Sequence, residues 1–423
     1  MSEGSKDWSM LDAVLATIVG SRRRVVKADV ATIEDDCRAL LKLGPDAGKR
    51  IARRILAAYA GFDDEERLRL FHFLNDELDL DIAQLNAAVA NYSSERSPEQ
   101  LQILLAASEP LRQELLRRLN TQSGATAALV DLRADLLAAL ANEPELRRTD
   151  LDFAHLFSSW FNRGFLELER ITWDSPASVL AKIIAYEAVH EINGWSDLRS
   201  RLQPADRRCY AFFHPSMPGE PLVFTEVALV QGVPDNVQRV LDEKRDEQAA
   251  EAADTAVFYS ISNCQKGLRG ISFGNLLIKQ VVADLGRELP NLKRFVTLSP
   301  LPGFANWLAA RDEQPGIGEA LQAQAAHYLA VEKRKNGQPA DAVARFHLAN
   351  GAELHAVHTQ ADTSQNGMSQ SHGVMVNYLY DLARVEANQE AFAAEGSIAT
   401  TRAVRTRANQ YRRPNASASG TPK

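Results

Sequence analysis

Cysteine is scarce in this chain of 423 residues, which contains three: Cys37, Cys209 and Cys264. They are odd in number and far apart, so the sequence offers neither a CxxC pair nor a ligand set for zinc. Such usage is typical of a reducing compartment, where disulfides are rare. A disulfide scaffold and a structural zinc domain are therefore excluded as the basis of the fold.

Long apolar runs and targeting segments are also missing. No stretch approaches the ~18 apolar residues that identify a membrane-spanning helix. Residues 1–8 are too polar and acidic for a secretory or transit peptide, and the final residues, 420–423, do not form a peroxisomal Ser-Lys-Leu signal. We therefore expect a cytoplasmic location and no membrane partner.

An excess of positive charge is absent too, since the formal net charge is −7. Nucleic-acid binding requires a positively charged surface, so nucleic acid is not expected as a partner. A local loop can still hold one phosphorylated ligand. With 45% hydrophobic and 24% charged residues the composition is that of an ordinary globular protein. A single core stops growing at ~250–300 residues, so we expect two domains.

Glycine and proline are sparse in the first part of the chain, where leucines recur at helical spacing. Ser97 and Pro98 form a cap and first turn, and 63–66 is an acidic helix start. These patterns predict an N-terminal helical bundle over 1–158. The basic triplet 22–24 is interpreted as a solvent-facing cluster.

From about residue 159 the composition changes to short runs of aromatic and β-branched residues separated by Gly, Pro and Asp. These runs predict a strand over 209–213, a turn at 218–220, and further strands over 222–230 and 257–262. A helix over 273–285 and a strand ending at Ser299 follow. This order predicts an α/β ligand-binding domain over 159–401. Residues 402–423, which lack an apolar stripe, are expected to be a disordered tail.

Ser299 and His347 stand at the ends of apolar segments and are candidates for chemistry. Ser299 follows the apolar run 295–298 and precedes a proline, which places it at a strand-to-helix edge. It can simply cap that helix. His347, between Phe346 and Leu348, can act as an acid or base near neutral pH, or it can be a half-buried histidine bonded to a carbonyl. Spacing alone does not decide between these interpretations.

Three glycines, Gly267, Gly270 and Gly274, fall between a predicted strand and a predicted helix. Backbone N–H groups and a helix N-terminus can face an anion such as a pyrophosphate there. The spacing matches neither the P-loop nor the Rossmann fingerprint. A tight structural turn explains the pattern equally well.

Seven segments in fixed order, spread over about 220 residues, resemble the malonyl-CoA decarboxylase family. They include Leu-Ser-Pro-Leu-Pro-Gly-Phe at 298–304 and Phe-His-Leu-Ala-Asn-Gly at 346–351. The others lie at 161–176, 218–222, 258–262, 267–274 and 375–378. The resemblance implies a lyase that converts malonyl-CoA to acetyl-CoA and carbon dioxide, with Ser299 and His347 as the catalytic pair.

The same resemblance implies a catalytic domain with the fold of the GNAT acetyltransferases and a helical domain that makes a homo-oligomer. In the GNAT fold the loop after the fourth core strand cradles the pyrophosphate of CoA. The matching residues are Arg269, Gly270, Ile271, Ser272, Phe273, Gly274 and Asn275. Some relatives have glutamate at the position of Ser272, so this resemblance supports a backbone role for that residue rather than a side-chain role.

The implied reaction needs no organic cofactor and no metal, because the thioester carbonyl of the substrate accepts the electron pair as an enolate. The protein must supply a dry pocket, hydrogen-bond donors and a proton. Two other functions fit such a core: a GNAT-type acyl-CoA transferase, and a non-enzymatic malonyl-CoA sensor or scaffold.

The remaining polar candidates have weaker support. His355 and His358 lack a third metal ligand and are interpreted as ordinary polar histidines. His214, Asn377 and Tyr378 are possible pocket residues, as is His372, although buried structural roles suit each of them.

Overall fold

The computed structural model describes residues 29–44, 47–271 and 274–412. The chain divides into two compact units. The first takes residues up to 167 with 213–222 and 265–273, and the second takes 168–212, 223–264 and the residues from 274 onward. The basic triplet 22–24, Ser272 and Phe273 lie outside the described residues. Within the described residues, no helix is long and apolar enough to cross a membrane.

Helices dominate the first unit, as the sequence predicts. A capping box at Asp63 and Glu66 starts one helix, and the Ser97 hydroxyl caps another. Within the described residues the helices are α1 (Val30–Lys42), α2 (Lys49–Tyr59), α3 (Asp64–Asp76), α4 (Ile82–Ser94), α5 (Pro98–Ala107), α6 (Leu111–Asn120), α7 (Ala125–Ala139) and α8 (Arg147–Trp160).

The leucine stripe that begins at Leu101 is divided between two helices with different environments. Pro110 lies between α5 and α6, because its missing N–H and its ring cannot continue a helix. Leu115 and Leu119 of α6 are buried, whereas α5 buries none of its residues and Leu105 is 59% exposed. The leucine spacing over 101–119 predicts helical structure correctly, but it predicts one helix and shows neither the break at Pro110 nor which of the two helices lies in the core.

The second unit is built on a mixed sheet. Its strands, among the described residues, are β1 (Glu167–Ile171), β2 (Arg207–Phe213), β3 (Val223–Val230), β4 (Thr255–Asn263), β5 (Arg294–Thr297), β6 (Ser299–Pro300), β7 (Glu353–His358) and β8 (Met375–Leu379). The strand order is β1-β2-β3-β4-β5-β8-β6, with β7 also paired to β8. The β2–β3 and β3–β4 pairs are antiparallel, and β4–β5 is parallel. The predicted strands and the helical-then-α/β architecture are confirmed.

Strands β4 and β5 separate after a short pairing. Residues 255–258 pair with 294–297, and the last link is the Leu298 N–H donating to the Phe258 carbonyl. The chain then pairs with β8, where Ser299 lies opposite Val376. The end of β4, residues 259–263, is left without a partner in β5. Tyr259, Val296 and Leu298 belong to the buried core beside this point.

The helices of the second unit are mostly short. They are α9 (Ala177–Tyr186), α10 (Trp195–Leu202), α11 (Val237–Leu241), α12 (Gly274–Glu288), α13 (Phe304–Ala309), α14 (Glu319–Ala330), α15 (Ala342–Ala349), α16 (Gln365–Ser371), α17 (Val385–Glu395) and α18 (Arg402–Gln410).

Helix α18 corrects the prediction of a disordered tail over 402–423. The Thr401 hydroxyl caps it, and Val404 and Ala408 are buried as it packs on α14 and β7. Two buried residues one helical turn apart are enough to fix a short helix whose other positions are polar, and such a narrow stripe is easily missed in a sequence. Residues 413–423 of the predicted tail lie outside the described residues.

Candidate active site

Ser299 lies in β6 and is not a helix cap, so the capping interpretation is wrong. The next helix, α13, begins five residues later, at Phe304, with Gly303 as its N-cap. The Ser-Pro pair is instead held by antiparallel pairing with β8, in a strand of two residues where the missing N–H of proline is tolerated. The Ser299 side chain is buried.

His347 lies on α15 and is 2% exposed. Asp341 fixes the start of this helix, since its Oδ1 accepts hydrogen bonds of 2.9 Å from the N–H groups of Val343 and Ala344. The Nε2 atom of His347 lies 3.2 Å from Ser299 Oγ. Two residues that are 48 positions apart in sequence are thus hydrogen-bond neighbours.

Further hydroxyl groups set the direction of the hydrogen bonds around this pair. The Ser299 hydroxyl donates to Thr297 Oγ1 at 2.8 Å, which leaves Ser299 Oγ as the acceptor for an N–H at Nε2. The Tyr380 hydroxyl lies 2.8 Å from His347 Nδ1 and can donate to it. The network therefore favours the neutral tautomer of His347 with its proton on Nε2.

Burial strongly disfavours the charged form of His347 and lowers its pKa to about 3. The aromatic ring of Tyr378 stacks on the imidazole, with centroids 4.5 Å apart, and excludes water from that side. The imidazole is consequently neutral across the physiological pH range. It can deliver a proton only from a neutral ring or after a bound anion has raised its pKa.

A cavity of ≈ 240 Å³ opens beside the pair, where β4 and β5 have separated. It is bounded by the following described residues: Val189, Phe258, Tyr259, Ser260, Ile261, Asn263, Leu298, Ser299, Pro300, Ala342, Val343, Phe346 and His347. None of these is charged. The pair thus faces an apolar chamber with a few hydroxyl, amide and imidazole groups, a composition typical of small-molecule sites.

Asn377 and Tyr378, two of the predicted pocket residues, lie against the site rather than along the cavity. The Asn377 amide donates to the Thr297 carbonyl at 2.9 Å and so holds the end of β5, two residues before Ser299. Tyr378 is completely buried and forms the stacking surface for His347.

His214, the third of these residues, has both ring nitrogens in hydrogen bonds. Nε2 lies 3.0 Å from the Trp160 carbonyl, and Nδ1 accepts from the Ser216 N–H at 3.1 Å. Its ring packs on Phe161, and it is not among the described residues that line the cavity. These contacts favour a structural role.

The glycine loop follows β4, the fourth strand, as the GNAT resemblance implies. Gly270 has φ +84°, a conformation that favours glycine, and a Cβ there would meet open space. Gly267 has a different reason to be glycine, because a Cβ would collide with the Val130 carbonyl of α7. The guanidinium of Arg133 donates to the carbonyls of Gly267 and Arg269.

The side chain of Arg269 is exposed on this loop. Gly274 and Asn275 begin α12, so the loop leads directly into a helix N-terminus. Ser272 and Phe273 remain outside the described residues.

Tyr380, Thr297 and Ser260 are site residues that the sequence reasoning did not assign. Tyr380 stands two positions after Tyr378 and directly follows β8, and this period-2 spacing was the available signal. Ser260 lines the cavity, and its hydroxyl donates to Glu187 at 2.7–2.8 Å. No sequence pattern joins Ser260 to Glu187, because they are brought together by the tertiary fold.

Comparisons with known proteins agree with this architecture. The malonyl-CoA decarboxylase N-terminal domain model matches residues 78–161, and the C-terminal domain model matches 164–317 and 309–418. Mitochondrial malonyl-CoA decarboxylase from Anser anser anser is 35% identical over 355 residues, which are 71% of this chain and 70% of that protein. The mitochondrial malonyl-CoA decarboxylase from Rattus norvegicus is 34% identical over 371 residues, which are 73% of this chain and 75% of that protein.

Solved structures are also similar. A crystal structure of malonyl-CoA decarboxylase from Rhodopseudomonas palustris has 47% identity and a TM-score of 0.85, covering 90% of this chain and 100% of that one. The corresponding structure from Agrobacterium vitis has 48% identity and a TM-score of 0.84, covering 89% and 99%. With both domain models matched in order and relatives above 30% identity over most of their length, this chain belongs to the malonyl-CoA decarboxylase family.

Proposed function

We propose that Ser299 and His347 decarboxylate malonyl-CoA to acetyl-CoA and carbon dioxide in the cavity where β4 and β5 separate. The observation that carries this proposal is the 3.2 Å contact between Ser299 Oγ and His347 Nε2, which lies at the wall of an uncharged chamber. Family membership makes the chain a carboxy-lyase. The assignment of the chemistry to these two residues is our proposal.

The carbon–carbon bond to the carboxylate breaks, and its electron pair moves onto the thioester carbonyl to give an enolate while carbon dioxide leaves. When the substrate binds, the Ser299 hydroxyl turns from Thr297 Oγ1, donates its hydrogen bond to the substrate carboxylate or thioester oxygen instead, and orients the breaking bond. Nothing in this sequence of steps requires an organic cofactor or a metal.

The lack of charged residues among those that line the cavity itself favours this reaction. A carboxylate transferred from water into an uncharged chamber loses solvation without gaining a counter-ion. Loss of carbon dioxide replaces that localised charge with a delocalised enolate and a neutral product. The chamber therefore disfavours the ground state more than the transition state.

His347 supplies the proton that converts the enolate into acetyl-CoA. The proton on Nε2 passes to the α-carbon, and the hydroxyl proton of Tyr380 passes to Nδ1, 2.8 Å away. A thioester carbanion is a much stronger base than imidazolate, so a neutral imidazole is a sufficient acid. After acetyl-CoA leaves, water that enters the cavity returns a proton to Nε2 of His347, and the Nδ1 proton moves back to Tyr380.

The loop of residues 269–275 binds the pyrophosphate of CoA in our proposal. Support comes from the positive φ of Gly270, the exposed guanidinium of Arg269 and the helix that begins at Gly274. Arg133 donates to the carbonyls of Gly267 and Arg269 and so fixes the shape of the loop before Gly270.

We also propose a homo-oligomer formed through the helical unit, specifically through the α4–α5 hairpin. These helices pack on each other, yet Ala88 is the only described residue of the two that is buried. Ile82, Ile103 and Leu105 are 49–60% exposed. An apolar face of this kind on a helical pair fits the same face of a second copy about a twofold axis. A cytoplasmic location stays a prediction from the sequence.

Replacing His347 by asparagine tests the assignment of the chemistry. Because an acid acts mainly in the transition state, turnover should fall by ~10²–10⁴-fold while malonyl-CoA affinity stays within about threefold. His155→Asn, an exposed histidine on α8, is the matched control and should retain full turnover. Equal losses of turnover and affinity in His347→Asn would remove His347 from the chemistry.

A further inference from the structure

A second, larger cavity lies in the α/β unit between β7, α14 and α18. Its volume is ≈ 740 Å³, and its lining includes His355 and His358 of β7 with Arg402 and Arg407 of α18. Neither the decarboxylation nor the CoA loop uses any of these residues. The volume lies within the range of ~300–1,000 Å³ that is typical of small-molecule sites.

The charge of this cavity is positive. The described residues that line it include two arginines and two histidines but no aspartate or glutamate. Arg402 is exposed and has no ion-pair partner among the described residues. A guanidinium beside an open cavity, without a neighbouring carboxylate, is available to an anion.

Two carboxylates outside the lining reduce this charge only in part. Arg407 pairs with Glu319 at 2.9 Å, and the Glu319 side chain is itself 83% exposed. The Glu353 carboxylate lies 4.0 Å from His355 Nδ1, beyond hydrogen-bond distance. The ring of His355 makes no hydrogen bond with a described residue, so it has donor capacity to spare.

The donor set indicates the class of anion. Arginine presents a planar fork of N–H groups that matches a phosphate, and an imidazole adds a single N–H donor. The remaining lining is apolar or neutral and includes Ala326, Val357, Val404, Thr406 and Gln410. Such a surface can hold the uncharged part of a small molecule.

We propose that this cavity is a binding site for a phosphorylated small molecule, with its phosphate held by Arg402, Arg407 and His355, since Nε2 of His358 is already hydrogen-bonded to Asn377 Oδ1. The site is independent of the proposed decarboxylation. Its described lining shares no residue with the proposed CoA loop of 269–275.

The test is calorimetric titration of the purified full chain with pyrophosphate, in the presence of saturating CoA so that the CoA loop is occupied. Wild-type protein should give saturable binding. Arg402→Gln should weaken this binding at least about tenfold, because it removes a charge-assisted donor. Arg405→Gln is the matched control, since Arg405 is also exposed on α18 but does not line the cavity, and its affinity should stay within about twofold.

A second variant, His355→Gln, tests the opposite wall without touching α18 and should also weaken binding. Absence of saturable binding in the wild type would overturn the proposal. So would equal affinities in Arg402→Gln and Arg405→Gln, or wild-type binding that disappears when CoA is added, because pyrophosphate would then be occupying the CoA loop.

Discussion

At the scale of single residues, the site depends on a neutral imidazole held between hydroxyl groups. Ser299 lies on one side of His347 and Tyr380 on the other, and Tyr378 covers the ring. A buried histidine with its ring nitrogens in defined contacts has one preferred tautomer. That tautomer presents its N–H toward the serine and the cavity.

Removal of the Tyr380 hydroxyl should interrupt this arrangement. In Tyr380→Phe, Nδ1 loses its donor and the ring can adopt the other tautomer, so we expect turnover to fall by ~10–100-fold with little change in KM. Steady-state kinetics on malonyl-CoA measure both. Tyr411→Phe is the matched control. It loses a hydroxyl contact of 2.7 Å to Glu313, Tyr411 does not line the cavity beside Ser299 and His347, and the variant should keep wild-type turnover. Similar kinetics in the two variants would contradict a role for Tyr380.

The lowered pKa of His347 makes a prediction about stability at low pH. This pKa is about 3 in the folded protein and ~6.5 in an unfolded chain, so between these values the unfolded state binds the extra proton. Stability should therefore fall as pH decreases from 6.5, by at most ~1.4 kcal/mol per pH unit from this group. Urea unfolding at pH 6.5 and at pH 5 measures the free energy of unfolding of the wild type and of His347→Gln. Between these pH values the wild type should lose up to ~2 kcal/mol more of this free energy than the variant does. Equal pH dependence in both proteins would mean that His347 titrates normally.

The sequence singled out Ser299 and His347 but could not join them. Each had an ordinary structural interpretation, and only the family resemblance paired them before the structure showed their contact. Tyr380 was missed because its role depends on how β8 lies against α15. That placement is set by the tertiary fold. Strand β7, which pairs with β8, also shifts its register between Leu354 and Ala356.

At the scale of elements, the start of α15 determines where His347 lies. Asp341 accepts two backbone N–H groups through Oδ1 and the Tyr328 hydroxyl through Oδ2 at 3.3 Å. Burial raises the pKa of this carboxyl and the backbone donors oppose that shift. The cap thus connects the helix that carries His347 to α14.

Asp341→Ala should reduce both stability and turnover. Loss of an N-cap costs ~0.5–2 kcal/mol, and fraying of the first turn displaces His347 relative to Ser299. Ser97→Ala removes the N-cap of α5 in the helical unit and should cost a similar amount of stability without a loss of turnover. Chemical denaturation and steady-state kinetics on the two variants separate these effects. Unchanged turnover in Asp341→Ala would show that the cap does not position His347.

Elements with strong local signals were predicted well. Capped, acidic helix starts predicted α3 and α5. Runs of β-branched and aromatic residues predicted β2, β3 and β4. The failures were at elements that tertiary contacts decide. Ser299 and Pro300 have the signature of a helix start but pair with β8, and α18 has the composition of a tail but buries Val404 and Ala408.

At the scale of the whole molecule, the change from leucine-rich helical spacing to short β-rich runs near residue 159 predicted two kinds of architecture. The two units are not separated by a single boundary in the sequence. Residues 213–222 and 265–273 are connections between strands of the sheet but group with the helical unit. The second of these packs on α7, where Gly267 approaches Val130, a contact that sequence spacing does not reveal.

The proposed oligomer makes a prediction at this scale. Leu105→Glu places a charge on the exposed apolar face of the α4–α5 hairpin and should shift the protein to a smaller assembly in light scattering after size-exclusion chromatography. Leu151→Glu on α8 is the matched control, because Leu151 is also 60% exposed but lies outside the hairpin. An unchanged mass for Leu105→Glu, or the same shift for Leu151→Glu, would reject this interface.

The most direct test of the whole account is to incubate the purified protein with malonyl-CoA alone, in the presence of a chelator and without an acyl acceptor. Acetyl-CoA is followed by chromatography, and carbon dioxide is measured in the same samples. The account predicts that both products appear in equal amounts as malonyl-CoA disappears. Malonyl-CoA that binds but remains intact, or that is consumed only when a metal or an acceptor is supplied, would contradict it.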